Sequence, residues 1–228
     1  MGTQVALYVG IPELVECVHH FLYDQLNPDA EVPGDQINLP LCPFFEGETK
    51  VFSSVSAMYY APSDHSGRSG MHRDIICSTP QWSGSCTRHD CIFVDAGGSD
   101  DGPLGSLLIS HVLLFFSFTY QGECYSCALI EWFLPISDKP NDLTGMWIVA
   151  PEMKAAGQHV RAVISVKTIL QGAHLIGVYG KEHLPASFHF SKSLDAFNAY
   201  YVNKCIDHHS FTLCWLCMAT VCLQYIGF

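Results

Sequence analysis

Leu107–Tyr120 (LLISHVLLFFSFTY), Gln121-Gly122 and Cys124–Phe133 (CYSCALIEWF) form the stretch on which the fold turns. Two apolar runs flank a dipeptide whose glycine can supply the positive φ of a tight reversal, which predicts a β-hairpin. Leu113, Phe115, Ser117 and Thr119 alternate with Leu114, Phe116, Phe118 and Tyr120, so both faces of the first strand are apolar. Such a hairpin belongs in the middle of a core, covered on both sides.

Shorter strands are predicted on either side of it. Cys91-Ile92-Phe93-Val94 is closed by Asp95-Ala96-Gly97-Gly98, with a second turn region over Ser99 to Gly105, and Gly145 to Val149 is divided from Val160 to Val166 by a turn over Pro151 to Gln158. Lys50 to Ala61 alternates Val51, Ser53, Val55, Ala57 and Tyr59 with Phe52, Ser54, Ser56, Met58 and Tyr60, which predicts one strand with an aromatic-rich face. Ser63 to Arg88, with several Gly and Ser and one proline, reads as a loop. Pro12 followed by Leu14, Val18, Phe21 and Leu22 predicts an amphipathic helix over 12–26, stopped by Asn27-Pro28. Ser193 as an N-cap, Asp195 in a first turn, and Leu194, Phe197, Tyr201, Val202, Cys205 and Ile206 at helical spacing predict a second helix over 194–208. Five or six strands around a central hairpin give an α+β fold, a small and strongly bent antiparallel barrel-like sheet with flanking N- and C-terminal helices. The chain then divides into a helix and linker (1–43), a β-rich domain (44–209) and an apolar tail (210–228).

The 228 residues carry 11 Lys+Arg against 22 Asp+Glu, a formal charge of -11, with 49% hydrophobic and 14% charged residues. This composition excludes a disordered chain and a basic coat for nucleic acid. The basic residues are dispersed, although Arg68, Arg73 and Arg88 share the predicted loop, and a charge of -11 opposes sequence-independent nucleic-acid binding. Eleven scattered cysteines, and an N-terminus without Lys or Arg ahead of its short apolar run, argue against a signal peptide and a disulfide scaffold. Reduced thiols in a nuclear or cytoplasmic setting are the expectation.

Residues that could carry chemistry are few. Metal-dependent strand transfer needs carboxylates that converge, whereas Asp64, Asp90, Asp95, Asp100, Asp101, Glu131 and Asp142 fall mostly in predicted turns or at strand ends and read as solvated acids. Cys124 and Cys127 lie three apart on a strand and point to opposite faces, so they cannot share a zinc ion. A zinc set is weakly suggested at Cys205, His208, His209, Cys214 and Cys217, with buried thiols as the plainer alternative. His89 two positions before Cys91 resembles a base and nucleophile only on paper. No cofactor and no catalytic residue is assigned.

Tyr59, Tyr60, Phe115, Phe116, Phe118, Trp132, Phe133 and Trp147 would suit a stacking platform if exposed, but their alternating spacing favours the core. Phe211 to Phe228 is 18 residues without a charge, long enough at about 1.5 Å per residue to cross most of a bilayer core. A tail anchor, a packed element and read-through sequence are the three readings of that segment.

Several phrases in one order carry a family resemblance. They are Phe21-Leu22-Tyr23-Asp24-Gln25-Leu26, Tyr59-Tyr60-Ala61-Pro62-Ser63-Asp64, Asp90-Cys91-Ile92-Phe93-Val94, Leu113-Leu114-Phe115-Phe116-Ser117-Phe118, Cys127-Ala128-Leu129-Ile130-Glu131-Trp132-Phe133, Thr144-Gly145-Met146-Trp147-Ile148-Val149, Ser193-Leu194-Asp195-Ala196-Phe197 and Tyr201-Val202-Asn203-Lys204. From about residue 5 to 209 the chain resembles the C-terminal uncharacterised region of fungal transposon-encoded proteins of the Plavaka and Kyakuja-Dileera-Zisupton kind. The resemblance implies an origin in a transposable element and no assigned catalytic residue. Two departures matter: the apolar run after Asp207-His208-His209, and the lack of a large catalytic portion upstream of the first helix. The chain is therefore expected to be a detached C-terminal fragment, to which transposase activity does not carry over.

The hairpin running into Trp132-Phe133-Leu134-Pro135 is also similar in outline to the barrel of chromatin-reading bromo-adjacent-homology modules. That likeness implies, at the level of fold alone, a basic peptide or histone tail as partner. Its cage candidates are Tyr59, Tyr60, Trp132 and Trp147. The leading expectation is a non-catalytic binding module with a protein or chromatin partner; the alternative from another class is a membrane protein anchored through 210–228.

Overall fold

A computed structural model describes residues 11–61, 69–82, 86–95, 97, 104, 107–180, 183, 188–189, 192–206 and 210. The central hairpin pairs a strand over Leu107–Tyr120 with one over Glu123–Pro135, in register from Tyr120↔Glu123 to Ile109↔Phe133. Gln121 at φ 50° and Gly122 at φ 88° are both left-handed, as a two-residue turn matched to the strand twist requires. Numbered in chain order, the strands are β1 (Thr49–Phe52), β2 (Ser54–Tyr60), β3 (Met71–Trp82), β4 (Cys86–His89), β5 (Cys91–Asp95), β6 (Leu107–Tyr120), β7 (Glu123–Pro135), β8 (Ile148–Pro151), β9 (Arg161–Ser165), β10 (Ile169–Ala173), β11 (Leu175–Gly177) and β12 (Tyr200–Val202). The helix α1 spans Leu14–Leu26.

Strands order as β10-β5-β6-β7-β8-β12-β11, with β1 added to β6 and β9 added to β7. A second sheet, β2-β3-β4, packs against β10 and β6 and bends the whole toward a nearly closed antiparallel barrel. The fold is α+β with a small helical share.

The hairpin is covered on both faces, as its composition requires. One face joins Val112, Phe115, Ala128 and Ile130 to Ile76, Ile92, Val94 and Ile169 in the barrel interior. On the other, α1 lays Leu14, Val18, Phe21 and Leu22 over Leu114, Phe116, Phe118 and Leu129. Further along that second face, Trp147, Val149, Tyr200 and Val202 cover Ile109 and Phe133. Strict alternation cannot send Val112 and Leu114 to different faces. The register shift between those two residues does so: one extra residue there exchanges the inward and outward sets of β6.

Three sequence expectations are corrected. Lys50 to Ala61 is not one strand, because the chain changes sheets at Ser53: β1 pairs with β6, whereas β2 pairs with β3. The stretch read as a loop over Ser63 to Arg88 contains β3 and β4. Only Ile76, Cys77 and Ser78 of β3 are buried, so it shows little apolar period. The helix over 194–208 is absent among its described residues; Tyr200, Tyr201 and Val202 form β12 between β8 and β11. Aromatic and β-branched side chains favour a strand, and a period of two buries Tyr200 and Val202 together, which the three- and four-residue spacing concealed.

Candidate functional site

Among the clefts of the described residues, one takes its polar groups chiefly from strands and another from a helix, a turn and a strand. The first, about 480 Å³, opens between β3, the β4–β5 junction and the β10–β11 bend. Its charges are consumed internally. Asp90 accepts Arg88 Nε at 2.8 Å and Nη2 at 3.0 Å, and its Oδ2 also accepts the Cys77 N–H at 2.8 Å. The Arg88 guanidinium lies 4.5 Å over the Trp82 ring, Arg73 Nε donates to Ser56 Oγ at 2.7 Å, and Asp74 accepts the Gly172 N–H at 2.9 Å. His89 Nδ1 is 2.9 Å from Ser78 Oγ, and Ser78 donates to the Val112 carbonyl at 3.3 Å, so the imidazole N–H points at the hydroxyl. Burial, with His111 next, holds the His89 pKa below its ordinary value and keeps the ring neutral.

Cys91 does not act with His89. Its thiol is buried, and desolvation drives its pKa far above the normal range, so no thiolate nucleophile forms.

A polar belt crosses the outward face of the sheet between the α1-covered and β12-covered halves. Cys91, His111, Glu131 and Arg161 stand directly opposite one another on β5, β6, β7 and β9. Glu131, expected from the sequence to be a solvated acid, is 8% exposed. Its Oε1 accepts Arg161 Nε at 3.0 Å, and His111 Nδ1 and His159 Nδ1 lie 3.6 and 3.8 Å from its Oε2. Arg161 Nη1 reaches on to Glu13 Oε2 at 3.0 Å, which ties the start of α1 to the sheet. Burial pushes the Glu131 carboxyl pKa up, yet His111, His159 and Arg161 outweigh it and hold the group below its usual range. Asp90 is likewise half-buried and paired with Arg88, whereas Asp95 caps the Gly97 N–H and Asp142 lies exposed beside Lys139; Asp64, Asp100 and Asp101 lie outside the described residues.

The second cleft, about 300 Å³, runs between α1, the short turn Gly34–Gln36 and β9. Trp132 lines it half-buried, and the exposed Asp24 and Asp35 lie on its opposite wall. Asp24 Oδ1 accepts the Gly34 N–H at 2.6 Å, and a Cβ at Gly34 would meet the His20 carbonyl, so only glycine lets the turn close on the helix. Arg161 is the cationic group of this cleft, and its guanidinium is already committed to Glu131 and Glu13. The cleft is therefore acidic on balance and carries an aromatic ring.

The four cage candidates do not converge. Trp147 is 1% exposed, inside the core. Tyr59 stacks on His72 and borders the first cleft, Tyr60 is on the opposite, exposed face of β2, and Trp132 alone lines the acidic cleft. Of the wider aromatic set, Phe115, Phe116, Phe118 and Phe133 are buried. Arg73 and Arg88 share the first cleft, while Arg68 lies outside the described residues. Cys205 is exposed, and His208, His209, Cys214 and Cys217 lie outside the described residues. Among the described residues no three His, Cys, Asp or Glu side chains are grouped to hold a metal, and no helix is long and apolar enough to cross a membrane. Phe211 to Phe228 is outside them. Cys124 is exposed and Cys127 buried, on opposite faces of β7, and burial pushes the Cys127 thiol up to about 12.

Sequence reasoning missed Asp24, Asp35 and Arg161. Asp24 follows the buried Phe21 and Leu22 on the exposed side of α1, a position that pattern alone assigns to solvent. Compared with models of known protein families, with curated proteins and with solved structures, the chain matches none of them.

Proposed function

We propose that this chain is a non-catalytic interaction module that binds a basic peptide. We also propose, on the ordered phrases quoted above, that it derives from the C-terminal region of a fungal transposon protein. One observation carries the binding reading: Trp132, Asp24 and Asp35 line a single cleft whose arginine is already paired. An indole face attracts an ammonium or guanidinium, and two carboxylates without a cationic partner in the cleft strengthen that attraction. The formal charge of -11 adds long-range steering of a basic partner. The first cleft offers a basic peptide less, because Arg88 is paired with Asp90 and Arg73, bonded to the neutral Ser56 hydroxyl, keeps a cation in it.

A panel of blocked heptapeptides, each with one central lysine, tests this against the same panel with norleucine at that position, by isothermal titration. Lysine peptides are expected to bind more tightly, and Trp132→Leu to weaken them roughly tenfold, the scale of one desolvated cation–π contact. Tyr60→Ala should leave binding unchanged. Equal affinity for lysine and norleucine, or full affinity in Trp132→Leu, would overturn the reading.

A further inference from the structure

We infer that the basic peptide is held in an extended conformation, as an added strand on the outer edge of β9. This rests on the binding reading above and specifies how that cleft works. Among the described residues β9 pairs with β7 alone. The Trp132 N–H donates to the Val160 carbonyl at 3.3 Å, and the register continues Arg161↔Glu131, Ala162↔Ile130, Val163↔Leu129. Antiparallel pairing therefore turns the N–H and C=O of Ala162 and Ile164 toward β7, and those of Arg161, Val163 and Ser165 away from it.

These outward groups are unequally satisfied. The Ser165 carbonyl accepts Thr168 Oγ1 at 2.9 Å, and the Arg161 carbonyl has the Cys17 thiol at 3.7 Å. The outward N–H and C=O of Val163 have no backbone partner among the described residues. Val163 is 7% exposed, and a residue so buried seldom leaves both backbone groups unmet.

The acidic cleft lies along this same stretch, since Arg161, Ala162, Val163 and Ile164 form its β9 wall. An extended segment there would exchange main-chain hydrogen bonds with Val163 and place alternate side chains on opposite sides. One of them would enter the space between Trp132, Asp24 and Asp35, which selects a cation. An apolar occupant would leave Asp24 and Asp35 uncompensated, and an acidic one would be repelled.

The experiment uses the full chain and the tightest lysine heptapeptide of the panel. Each peptide amide is N-methylated in turn, and amide exchange of the protein is followed by NMR with and without that peptide. Methylation of the one peptide amide that meets the Val163 carbonyl is expected to cost tenfold or more, with its neighbours tolerated, and exchange at the Val163 amide should slow. The amide of Ile164, already bonded to β7, should change little. Equal loss at every position, no loss at any, or unchanged exchange at Val163 overturns the added strand, while a surviving lysine preference keeps the binding reading. If lysine and norleucine peptides bind alike, both fail.

Discussion

The two clefts hold similar residue types and differ in what is left over. In the first, Arg73, Arg88, Asp74 and Asp90 are each bonded to protein groups, so a high density of charge works as a fastener between β3, β4, β5 and β10. In the second, fewer charged groups stand beside a half-buried indole, and the two aspartates are exposed. On the binding proposed above, charge density alone would not mark the surface; uncompensated charge would, because only that gains on meeting a charged partner.

The largest effect should come from the polar belt behind the arginine of the second cleft. Glu131 holds Arg161 on the side of the second cleft and faces His111 on the other. Glu131→Gln removes a mostly buried charge and leaves Arg161 with Glu13 alone, so urea unfolding should show a loss of about 3 kcal/mol. It should also weaken the lysine peptide, because a less compensated arginine now lines its site. A loss under about 1 kcal/mol would mean that the belt is solvated and that burial was the wrong guide.

A paired substitution sharpens the contrast. Asp90→Asn deletes the charge behind two Arg88 bonds and weakens the acceptor for the Cys77 N–H, which should cost about 2 kcal/mol with no change in peptide affinity. Asp35→Asn should do the reverse: stability within about 0.5 kcal/mol, as for an exposed surface site, and affinity reduced about threefold at low salt. If both variants shift the same property, the clefts do not have separate roles.

The sequence made the hairpin legible because two long apolar runs and Gln121-Gly122 agree on one answer at every level. α1 was legible for the same reason. What stayed hidden was set by pairing at a distance. The bulge at Leu113 exchanges the faces of β6 without any local signal, β3 and β4 are too polar to show a period, and Tyr200 to Val202 fit both a helix and a strand until β8 and β11 decide. Of the residues lining the second cleft, Trp132 is one of the four cage candidates the sequence offers. Asp24, Asp35 and the Val163 backbone left without a strand partner are not among them, since a strand edge is a property of sheet order and has no residue signature.

The smallest expected effect concerns His89, which tests whether the first cleft is closed to protons as well as to ligands. Its pKa is lowered from the ordinary 6.5, chiefly by burial and then by His111. At about one pH unit above 6.5 the ring is largely neutral in both folded and unfolded chains and contributes little slope. As pH falls through 6.5 the unfolded chain takes a proton that the folded chain refuses, so stability declines until the folded ring also protonates. In His89→Gln, whose amide can still donate to Ser78, this contribution vanishes. Unfolding free energies of both proteins across the acid range should therefore run parallel above about pH 7 and diverge below it, with the wild type falling faster. Curves that stay parallel throughout would show His89 titrating as a solvated imidazole. The first cleft would then be open enough to rival the second as a place where something binds.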